Sequence, residues 1–353
     1  MNKGIVSTGS KEATQAGAEI LRAGGNAFDA AVAAVFTSMT SEFALTGAGG
    51  GGAMMIYTPS KEPIIYDFFV DTPPRTGKEE LDFFDVEVDF GDSTQIFHIG
   101  KGSAAIPGTL LGLVTVQEQF GVLPLPVVME PAIHLAKTGS VLNSKQAYIF
   151  KLLEPIFSHS VEGQALFHSQ GKILTEGDRF VNTDFADFLE RVSEEGATFF
   201  YLGEGAELIA QNFGEGGLLS AQALSQYHVA VRKPVKTSFM DTQVYSNPAP
   251  SAGGTLIIFL LRLLEESRIH NFQIADLVQA MAVTNTARKE VCTNPNDEYL
   301  INRLLEKEIF SGYLEKFRSQ REFKEDSVLP GRGSTTHVSV IDKELNSASI
   351  TTT

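Results

Sequence analysis

The sequence predicts an α+β protein in which many helices alternate with a few short strands. Apolar residues recur at helical spacing through much of the stretch from residue 13 to residue 318. Residues 336–353 instead alternate between apolar and polar side chains, which is typical of strands. With 353 residues, of which 43% are hydrophobic and 20% charged, the chain has a globular composition and enough length for a sizeable core.

The amino-terminal part predicts a strand followed by two helices. Residues 4–8 favour a short strand, and residues 13–21 place their apolar side chains at helical spacing before the pair Gly24-Gly25. Asn26 can cap a second helix over residues 27–39. This helix is apolar on nearly every side and rich in alanine, so we expect it to be central and buried.

The glycine run at residues 47–52 formally satisfies G-x-G-x-x-G, but its setting argues against a dinucleotide site. Such a fingerprint follows a strand and opens a helix. Here a predicted helix precedes the glycines, and the apolar run Ala53–Tyr57 follows them. We therefore expect a backbone that needs positive φ angles and close approach to another element.

The rest of the chain up to residue 318 is read from periodicity, caps and breakers. A strand is predicted at 64–70, a polar and acidic stretch at 78–103, helices at 107–119, 125–137, 143–157 and 183–192, two short helices before 226, two strands within 231–246, and helices at 251–266, 274–290 and 297–318. Residues 319–334 have the charged, then glycine- and proline-containing composition of an exposed linker.

The carboxyl-terminal stretch places adjacent threonines at the head of a predicted hairpin. If Asp342 pairs with Ser347, the register brings Thr353 opposite Thr336 and beside Thr335. A threonine after a Gly-Ser approach suggests a nucleophile released by cleavage of the Ser334–Thr335 bond, whose freed α-amine then acts as its base. The alternative is an ordinary hairpin, because threonine favours strands.

Six stretches, in order along nearly the whole chain, carry a family resemblance. They are Gly24–Ala34 (GGNAFDAAVAA), Gly47–Gly52 (GAGGGG), Ile106–Gly108 (IPG), Pro131–Ala136 (PAIHLA), Asn247–Gly254 (NPAPSAGG) and Thr335–Asp342 (TTHVSVID). The set resembles the γ-glutamyltranspeptidases, a family of N-terminal nucleophile hydrolases that includes cephalosporin acylases. The resemblance implies a four-layer α/β/β/α sandwich, here mainly its helix-rich large-subunit part. It also implies a large-subunit-like segment at 1–334 and the start of a small-subunit-like segment at 335–353.

The resemblance also implies a mechanism. Thr335 would be the nucleophile, its amine the base, and Thr353 the residue whose hydroxyl positions the nucleophile. Acyl transfer through an ester on Thr335 would be ping-pong, with a small γ-glutamyl or related acyl-amide substrate and no cofactor. The two products of autocleavage would form a heterodimer. His337 should share a strand face with Thr335, where it either supports the site or only packs.

One departure from the family concerns substrate recognition. The resemblance implies an arginine that grips the substrate's α-carboxylate, at or next to the position that Phe69 occupies. The nearest arginine, Arg75, lies beyond two prolines and out of register. An aromatic ring cannot make a bidentate carboxylate contact, so we expect weak γ-glutamyl specificity.

The family's small subunit continues well beyond the position of Thr353 and supplies its oxyanion hole and substrate ligands there. We therefore expect that this chain is either a piece of a longer protein or the product of an interrupted gene. Two hypotheses follow. The first is a γ-glutamyltransferase-like amidohydrolase that is complete only with those residues, and the second is a non-catalytic remnant or binding protein on the same scaffold.

Composition excludes several other classes. A net charge of −15 and a pI of about 4.9 argue against nucleic acid or an anionic membrane as partner. The single cysteine, Cys292, allows no internal disulfide and is expected to be a buried small apolar residue. The seven histidines show neither H-x-x-x-H nor H-E-x-x-H spacing, so no metal site is predicted.

The amino-terminal ten residues contain no apolar run of signal-peptide length. We therefore expect a cytoplasmic protein. The periplasm is the alternative, because exported relatives are common in the family.

Overall fold

The computed structural model describes residues 4–75, 77, 80–91, 93–267, 273–294, 297–319 and 335–353. These residues form two compact units. The first unit takes its residues from the ranges 1–62, 66–230 and 330–353, and the second from 63–65 and 231–329. The carboxyl-terminal hairpin therefore packs in the same unit as the amino-terminal strand and helices. The predicted linker lies outside the described residues from position 320 onward.

The secondary structure mixes helices and strands as expected for an α+β protein. Up to residue 229 the elements are β1 (Ile5–Ser7), α1 (Lys11–Arg22), α2 (Ala27–Ser41), β2 (Gly52–Tyr57), β3 (Ile64–Phe68), β4 (Phe84–Asp89), β5 (Thr94–Ile99), a 3₁₀ turn (Lys101–Ser103), α3 (Thr109–Phe120), α4 (Leu125–Thr138), β6 (Ser140–Val141), α5 (Ser144–Leu152), α6 (Glu154–Phe157), α7 (Val161–Phe167), β7 (His168–Ser169), β8 (Lys172–Ile173), β9 (Arg179–Phe180), α8 (Thr183–Glu195), α9 (Thr198–Tyr201), α10 (Glu204–Phe213) and α11 (Ala221–Gln226). The remaining elements are β10 (Ala230–Arg232), β11 (Val235–Phe239), β12 (Thr242–Ser246), α12 (Ala252–Glu266), α13 (Ile274–Val291), α14 (Glu298–Arg303), α15 (Lys307–Ser319), β13 (Thr336–Ile341) and β14 (Ser347–Thr352).

Most predicted elements are confirmed, with several exceptions. The helix predicted over 297–318 divides into α14 and α15, and three short helices, α9 to α11, stand where two were predicted. Residues 84–99, expected to be merely polar and acidic, form the hairpin β4–β5. The helix predicted from Pro107 begins two residues later, at Thr109. The helix predicted over 143–157 divides into α5 and α6, because Pro155 has no N–H with which to continue the α5 hydrogen-bond ladder.

The central helix α2 is buried along its whole length, as the sequence predicts. Asn26 caps it: its side chain accepts hydrogen bonds from the N–H groups of Phe28 and Asp29, and the Asp29 side chain accepts from the Asn26 N–H. This reciprocal capping box satisfies N–H groups that would otherwise be orphaned at the helix start. The many alanines of α2 let both α1 and the neighbouring sheet approach closely.

The main sheet of the first unit places the carboxyl-terminal hairpin between amino-terminal strands. Its strand order is β1–β13–β14–β2–β3. Ile5 lies opposite Ile341, Thr336 opposite Thr352, and Thr352 opposite Gly52, all in antiparallel ladders. Residues 300 or more positions apart in the chain are thus direct neighbours in the sheet.

The two faces of β13 and β14 differ as the alternation predicts. Val338, Val340, Ala348 and Ile350 are buried and face α2. Burying such side chains contributes about 25 cal/mol per Å² of apolar surface, so the inner face fixes which residues point inward. The other face of the hairpin is more exposed and carries hydroxyl and imidazole groups.

The hairpin turn differs from the prediction by one residue. Ile341, rather than Asp342, pairs with Ser347. Asp342 belongs to the turn, where its Oδ1 accepts hydrogen bonds from the N–H groups of Glu344 and Asn346. In this turn the Asp342 N–H also donates to the Asn346 carbonyl at 3.0 Å. Asp342 therefore faces Asn346 and not Ser347, so the predicted pairing was wrong and every cross-strand partner shifts by one position.

Asp342 also connects the turn to the central helix. Its Oδ2 accepts a hydrogen bond from the N–H of Ala27, the first residue of α2, at 3.0 Å. A carboxylate is favourable at a helix amino terminus, where the dipole is positive. The buried Asp342 therefore stabilises the hairpin and α2 together.

Phe43 secures the chain directly after α2. Its ring centroid lies 4.6 Å from that of Phe150, 4.9 Å from Phe167 and 4.4 Å from Phe180. Aromatic pairs at these separations contribute about 0.5–1.5 kcal/mol beyond their buried area. The end of α2 is consequently fixed to α5, α7 and β9.

The second unit is mainly helical. The hairpin β11–β12 packs against α12, whose Phe259 and Leu263 are fully buried with Phe310 of α15. Cys292 lies half-buried against this cluster, and burial raises the pKa of its thiol. Over the described part of the whole chain, no helix combines the length and the apolar character needed to cross a membrane.

Candidate active site

Thr335 lies directly before β13 and is exposed to solvent. Alternation places it on the same side of the strand as His337, and opposite the buried face that carries Thr336. The Gly331–Ser334 approach predicted to precede it lies outside the described residues. The first ladder position is Thr336, so Thr335 is the last described residue before the sheet begins.

Thr353 holds the corresponding position on the neighbouring strand. Because Thr336 pairs with Thr352, continuing the same register by one step places Thr353 opposite Thr335. The Thr353 N–H donates to the Gly51 carbonyl at 3.0 Å, and the Thr353 carbonyl accepts from the Gly51 N–H at 3.2 Å. The observed register therefore aligns Thr335 with Thr353 more directly than the predicted one.

The glycine run at 47–52 acts through close approach. A Cβ on Gly50 would lie 1.6 Å from the Thr353 carbonyl oxygen, and a Cβ on Gly51 would lie 2.6 Å from the Val70 nitrogen. The expectation of positive φ angles was wrong, because none of the glycines of this run has one. These glycines let β2 pass between the end of β14 and the residues after β3 without side-chain obstruction.

Phe69 follows β3 at the same end of the sheet as Thr335. Its Cα would lie 3.0 Å from a Cβ on Gly51, which in turn pairs with Thr353. Three strand spacings of about 4.8 Å separate the two positions, so Phe69 is roughly 14 Å from Thr335 across the sheet. The Phe69 residue is 60% exposed, which leaves its ring available to a ligand.

Two tyrosines brace the backbone around Phe69. Tyr227 donates its hydroxyl to the Phe69 carbonyl at 2.7 Å, and Tyr201 donates to the Pro107 carbonyl at 2.8 Å. Burial raises the pKa of both tyrosines, so both remain protonated donors at neutral pH. A Cβ on Gly108 would lie 2.1 Å from the Tyr227 hydroxyl, which shows how closely these elements pack.

Arg75 lies in the segment that follows β3. It is exposed and lines a cavity of about 240 Å³. The other lining residues are Thr72, Pro73, Leu81, Phe83, Gly102, Ser103, Ala104, Ala105 and Leu218. Neither Phe69 nor Thr335 lines this cavity, so Arg75 shares it with neither of these two predicted site residues.

His337 is held by hydroxyl groups on the outward face of the hairpin. Its Nδ1 lies 2.8 Å from Thr351 Oγ1, and its Nε2 lies 3.1 Å from Ser339 Oγ and 3.3 Å from Ser349 Oγ. Loss of surrounding water lowers the pKa of His337, which favours the neutral ring with one donor and one acceptor nitrogen. Both nitrogens have hydroxyl partners on β13 and β14, and none of these partners is Thr335.

Beneath the candidate nucleophile, two buried hydroxyls are anchored from the segment after α2. Thr336 donates to Glu42 Oε2 at 2.7 Å, and Thr352 Oγ1 lies 2.8 Å from Thr46 Oγ1. Sequence reasoning missed Glu42 and Thr46. The available signal was a lone acidic residue three positions after a helix predicted to be central and buried.

Among the described residues, no three His, Cys, Asp or Glu side chains are grouped so as to hold a metal ion. The groups gathered around Thr335 are hydroxyls, an imidazole, backbone amides and one buried carboxylate. Such a set can position a hydroxyl nucleophile and move a proton.

A threonine at the head of a central strand, with helices behind the sheet and a glycine run against its neighbour, is an arrangement consistent with the N-terminal nucleophile hydrolase class. Within that class the chain belongs to the γ-glutamyltranspeptidase family, which it matches over residues 13–353.

The similarity extends to individual relatives. The chain is 31% identical over 368 residues to the glutathione hydrolase proenzyme of Escherichia coli, covering 99% of this chain and 62% of that protein. It is 27% identical over 346 residues to the capsule biosynthesis protein CapD proenzyme of Bacillus anthracis, covering 97% of this chain and 59% of that protein. The chain thus spans about three fifths of the length of these curated relatives.

Solved structures show the same fold. The γ-glutamyltranspeptidase of Helicobacter pylori superposes with a TM-score of 0.76 and 26% identity, covering 92% of this chain and 93% of that one. A cephalosporin acylase from Bacillus halodurans superposes with a TM-score of 0.78 and 20% identity, covering all of this chain and 66% of that one. The predicted family and fold class are confirmed.

Proposed function

We propose that this chain is a γ-glutamyltransferase-like amidohydrolase that cleaves itself before Thr335 and then carries acyl groups on the Thr335 hydroxyl. The observation that carries the proposal is the place of Thr335: it heads a central strand, level with Thr353, whose backbone is clamped by Gly51. The names of the Escherichia coli and Bacillus anthracis relatives, which describe proenzymes, support the self-cleavage.

Cleavage requires an acyl shift followed by hydrolysis. The Thr335 oxygen attacks the carbonyl carbon of Ser334 and gives up its proton, while the peptide C–N bond breaks and its nitrogen is protonated to an amine. Water then hydrolyses the resulting ester, which leaves a carboxylate on Ser334 and restores the Thr335 hydroxyl beside a free α-amine. That amine has a reference pKa of about 7.7–8.0, so it can serve as a base near neutral pH.

Turnover would repeat the same chemistry on a substrate. The α-amine accepts the hydroxyl proton as the Thr335 oxygen attacks an acyl amide, and the departing amine takes that proton. The acyl group remains as an ester on Thr335 until water or an acceptor amine removes it. The result is hydrolysis in the first case and transpeptidation in the second.

Self-cleavage is tested by intact mass and amino-terminal sequencing of the full-length protein. We expect a new amino terminus at Thr335. Thr335→Ala should stay intact, and Thr335→Ser, which keeps a hydroxyl, should still be cut. Cleavage before Thr336, or unchanged cleavage of Thr335→Ala, would refute the assignment.

We further propose that the preferred substrate is an acyl amide without an α-carboxylate. Phe69 occupies the position where the family resemblance implies an arginine, and its exposed ring offers an apolar contact. A bidentate contact between arginine and a carboxylate contributes roughly 1.5–3 kcal/mol. Without that contact, a γ-glutamyl group should lose at least about tenfold in kcat/KM.

Two p-nitroanilides that differ only in that carboxylate test the specificity. We expect the 4-aminobutyryl compound to be turned over at least as well as the γ-glutamyl compound. Phe69→Arg should raise kcat/KM for the γ-glutamyl compound about tenfold and leave the other within about twofold, and the control Phe69→Leu should favour neither. If the wild type strongly prefers the γ-glutamyl compound, and Arg75→Ala loses that preference, then Arg75 rather than position 69 contacts the substrate's carboxylate.

We also propose that the two cleavage products remain a heterodimer. The segment 335–353 forms β13 and β14, which pair on their outer sides with β1 and β2 of the segment 1–334. Release would expose two sheet edges and the apolar inner face of the hairpin. The products should co-elute in native size-exclusion chromatography and separate in denaturant; separation under native conditions would contradict the proposal.

A further inference from the structure

Glu42 is a buried carboxylate in an unfavourable setting. It follows the carboxyl end of α2 and is only 8% exposed. A negative charge at a helix carboxyl terminus meets the negative end of the helix dipole, and its burial removes hydration. Among the described residues, its Oε1 is buried without a hydrogen-bond partner. Local stability therefore does not account for a carboxylate at this position.

The contacts of Glu42 fix its other oxygen against the first residue of β13. Oε2 accepts the Thr336 hydroxyl proton at 2.7 Å. A Cβ on Gly9 would lie 2.2 Å from this Oε2 and 2.9 Å from Thr336 Oγ1, so a glycine is needed to make room for the pair. The adjacent Phe43 locks the backbone in its aromatic cluster. The acceptor is thus held rigidly.

Thr336 is the residue directly behind the candidate nucleophile. Thr335 itself lies outside the β13 ladder, and the proposed cleavage would make it a chain terminus. Chain termini fray unless side chains or backbone bonds tie them down. The hydrogen bond between the side chains of Thr336 and Glu42 fixes the chain at the first ladder position, on the buried side of the sheet. The hydrogen bond between Thr46 and Thr352 does the same on β14, beside Thr353.

We infer that Glu42 is a positioning residue: by holding Thr336 it fixes the orientation of Thr335 for self-cleavage and for turnover. The inference rests on the proposed function, because it assigns to Glu42 a part in the reaction of Thr335. Glu42 lies on the buried side of the sheet, opposite the exposed Thr335, so its effect passes through its hydrogen bond to Thr336.

Paired substitutions on both partners of this hydrogen bond test the inference in the full-length protein. Glu42→Leu and Thr336→Val remove the bond with little change in volume. Glu42→Gln and Thr336→Ser keep an acceptor and a donor. We expect Glu42→Leu and Thr336→Val each to slow first-order cleavage at 25 °C about tenfold, which is about 1.4 kcal/mol in activation free energy. The cleavage rates of Glu42→Gln and Thr336→Ser should stay within about threefold of the wild-type rate.

Three readouts separate positioning from general destabilisation. Leu189→Ala empties part of the core at a fully buried site in α8, and should lower the melting temperature without changing the cleavage rate at 25 °C by more than about twofold. The double variant Glu42→Leu/Thr336→Val should be no slower than the slower single variant, since both remove one bond. In processed enzyme acting on 4-aminobutyryl p-nitroanilide, Glu42→Leu should lower kcat and leave KM unchanged.

The outcomes distinguish this inference from the proposed function. A wild type that is never cut before Thr335 overturns both. If the wild type is cut, the inference alone is overturned when Glu42→Leu is cleaved as fast as wild type, or when Glu42→Gln is cleaved no faster than Glu42→Leu. It is also overturned when the fold-losses in cleavage rate of the two single variants multiply in the double variant. If Glu42→Leu does not fold, the comparison of Thr336→Val with Thr336→Ser decides the question. Thr336→Val removes the bond and keeps the shape of the side chain, whereas Thr336→Ser keeps the bond and removes only a methyl group.

Discussion

Substituting Gly50 with alanine should disturb the candidate site more than any change of similar size nearby. The added Cβ would lie 1.6 Å from the Thr353 carbonyl oxygen, whereas real Cβ atoms essentially never come within 3.0 Å of a heavy atom. One of the two must therefore move by roughly 1.4 Å, the difference between these distances. Gly50 has little freedom to retreat, because its carbonyl accepts the N–H groups of Gly108 and Thr109 at 2.9 and 3.1 Å.

The displacement falls on Thr353 and costs stability as well as rate. Breaking its two backbone hydrogen bonds to Gly51 costs about 0.5–1.5 kcal/mol each, and the forced shift costs about 1–3 kcal/mol. We expect a total loss of about 2–6 kcal/mol, which at about 2 °C per kcal/mol for a unit of this size lowers the melting temperature by about 4–12 °C. A misplacement of about 1 Å at a reacting group can cost about a hundredfold in rate, so self-cleavage should slow by that order.

Gly49→Ala is the matched control. A Cβ on Gly49 meets no heavy atom within 4 Å, and the residue has no positive φ angle. It should therefore leave the melting temperature within about 2 °C and the cleavage rate within about twofold. Melting is followed by circular dichroism, and cleavage by the intact-mass time course. If Gly50→Ala matches wild type in both, or if Gly49→Ala is equally damaging, the close-approach reasoning is wrong.

Three other predictions follow from individual contacts. Asp342→Ala should lower the unfolding free energy by about 2–4 kcal/mol, because it leaves the Ala27 N–H and two turn N–H groups without an acceptor; denaturant titration measures this, and Asp342→Asn should recover part of the loss. Tyr227→Phe should cost about 1–2 kcal/mol through the unpaired Phe69 carbonyl, and an unchanged melting temperature would contradict that role. The lowered pKa of His337 means that the folded protein binds its proton less well than the unfolded chain, so stability is full above the ordinary imidazole pKa of about 6.5 and declines as pH falls below it. His337→Gln should flatten that decline between pH 7 and pH 5 in thermal melts, and an unaltered slope would exclude His337 as its source.

The elements that sequence could predict are those whose cause is local. Asn26 caps α2 as predicted, and the alternation from Thr336 to Ile341 correctly separates the buried and exposed faces of β13. The same short-range order supports the family resemblance, because its motifs are contiguous stretches. The register failed by one residue because the alternation constrains faces, while the turn bonds of Asp342 decide which residues pair.

The sequence by itself thus determined the fold class, the family and the candidate nucleophile, because each is predicted from the periodicity or the motifs of contiguous stretches. Only the tertiary structure decided where the hairpin lies, between β1 and β2, and hence that Gly50 abuts Thr353 and that Glu42 lies beneath Thr336. These contacts join residues about 300 positions apart. No short-range pattern records them, because they depend on the burial of apolar side chains between the sheet and α2, which acts without regard to separation along the chain.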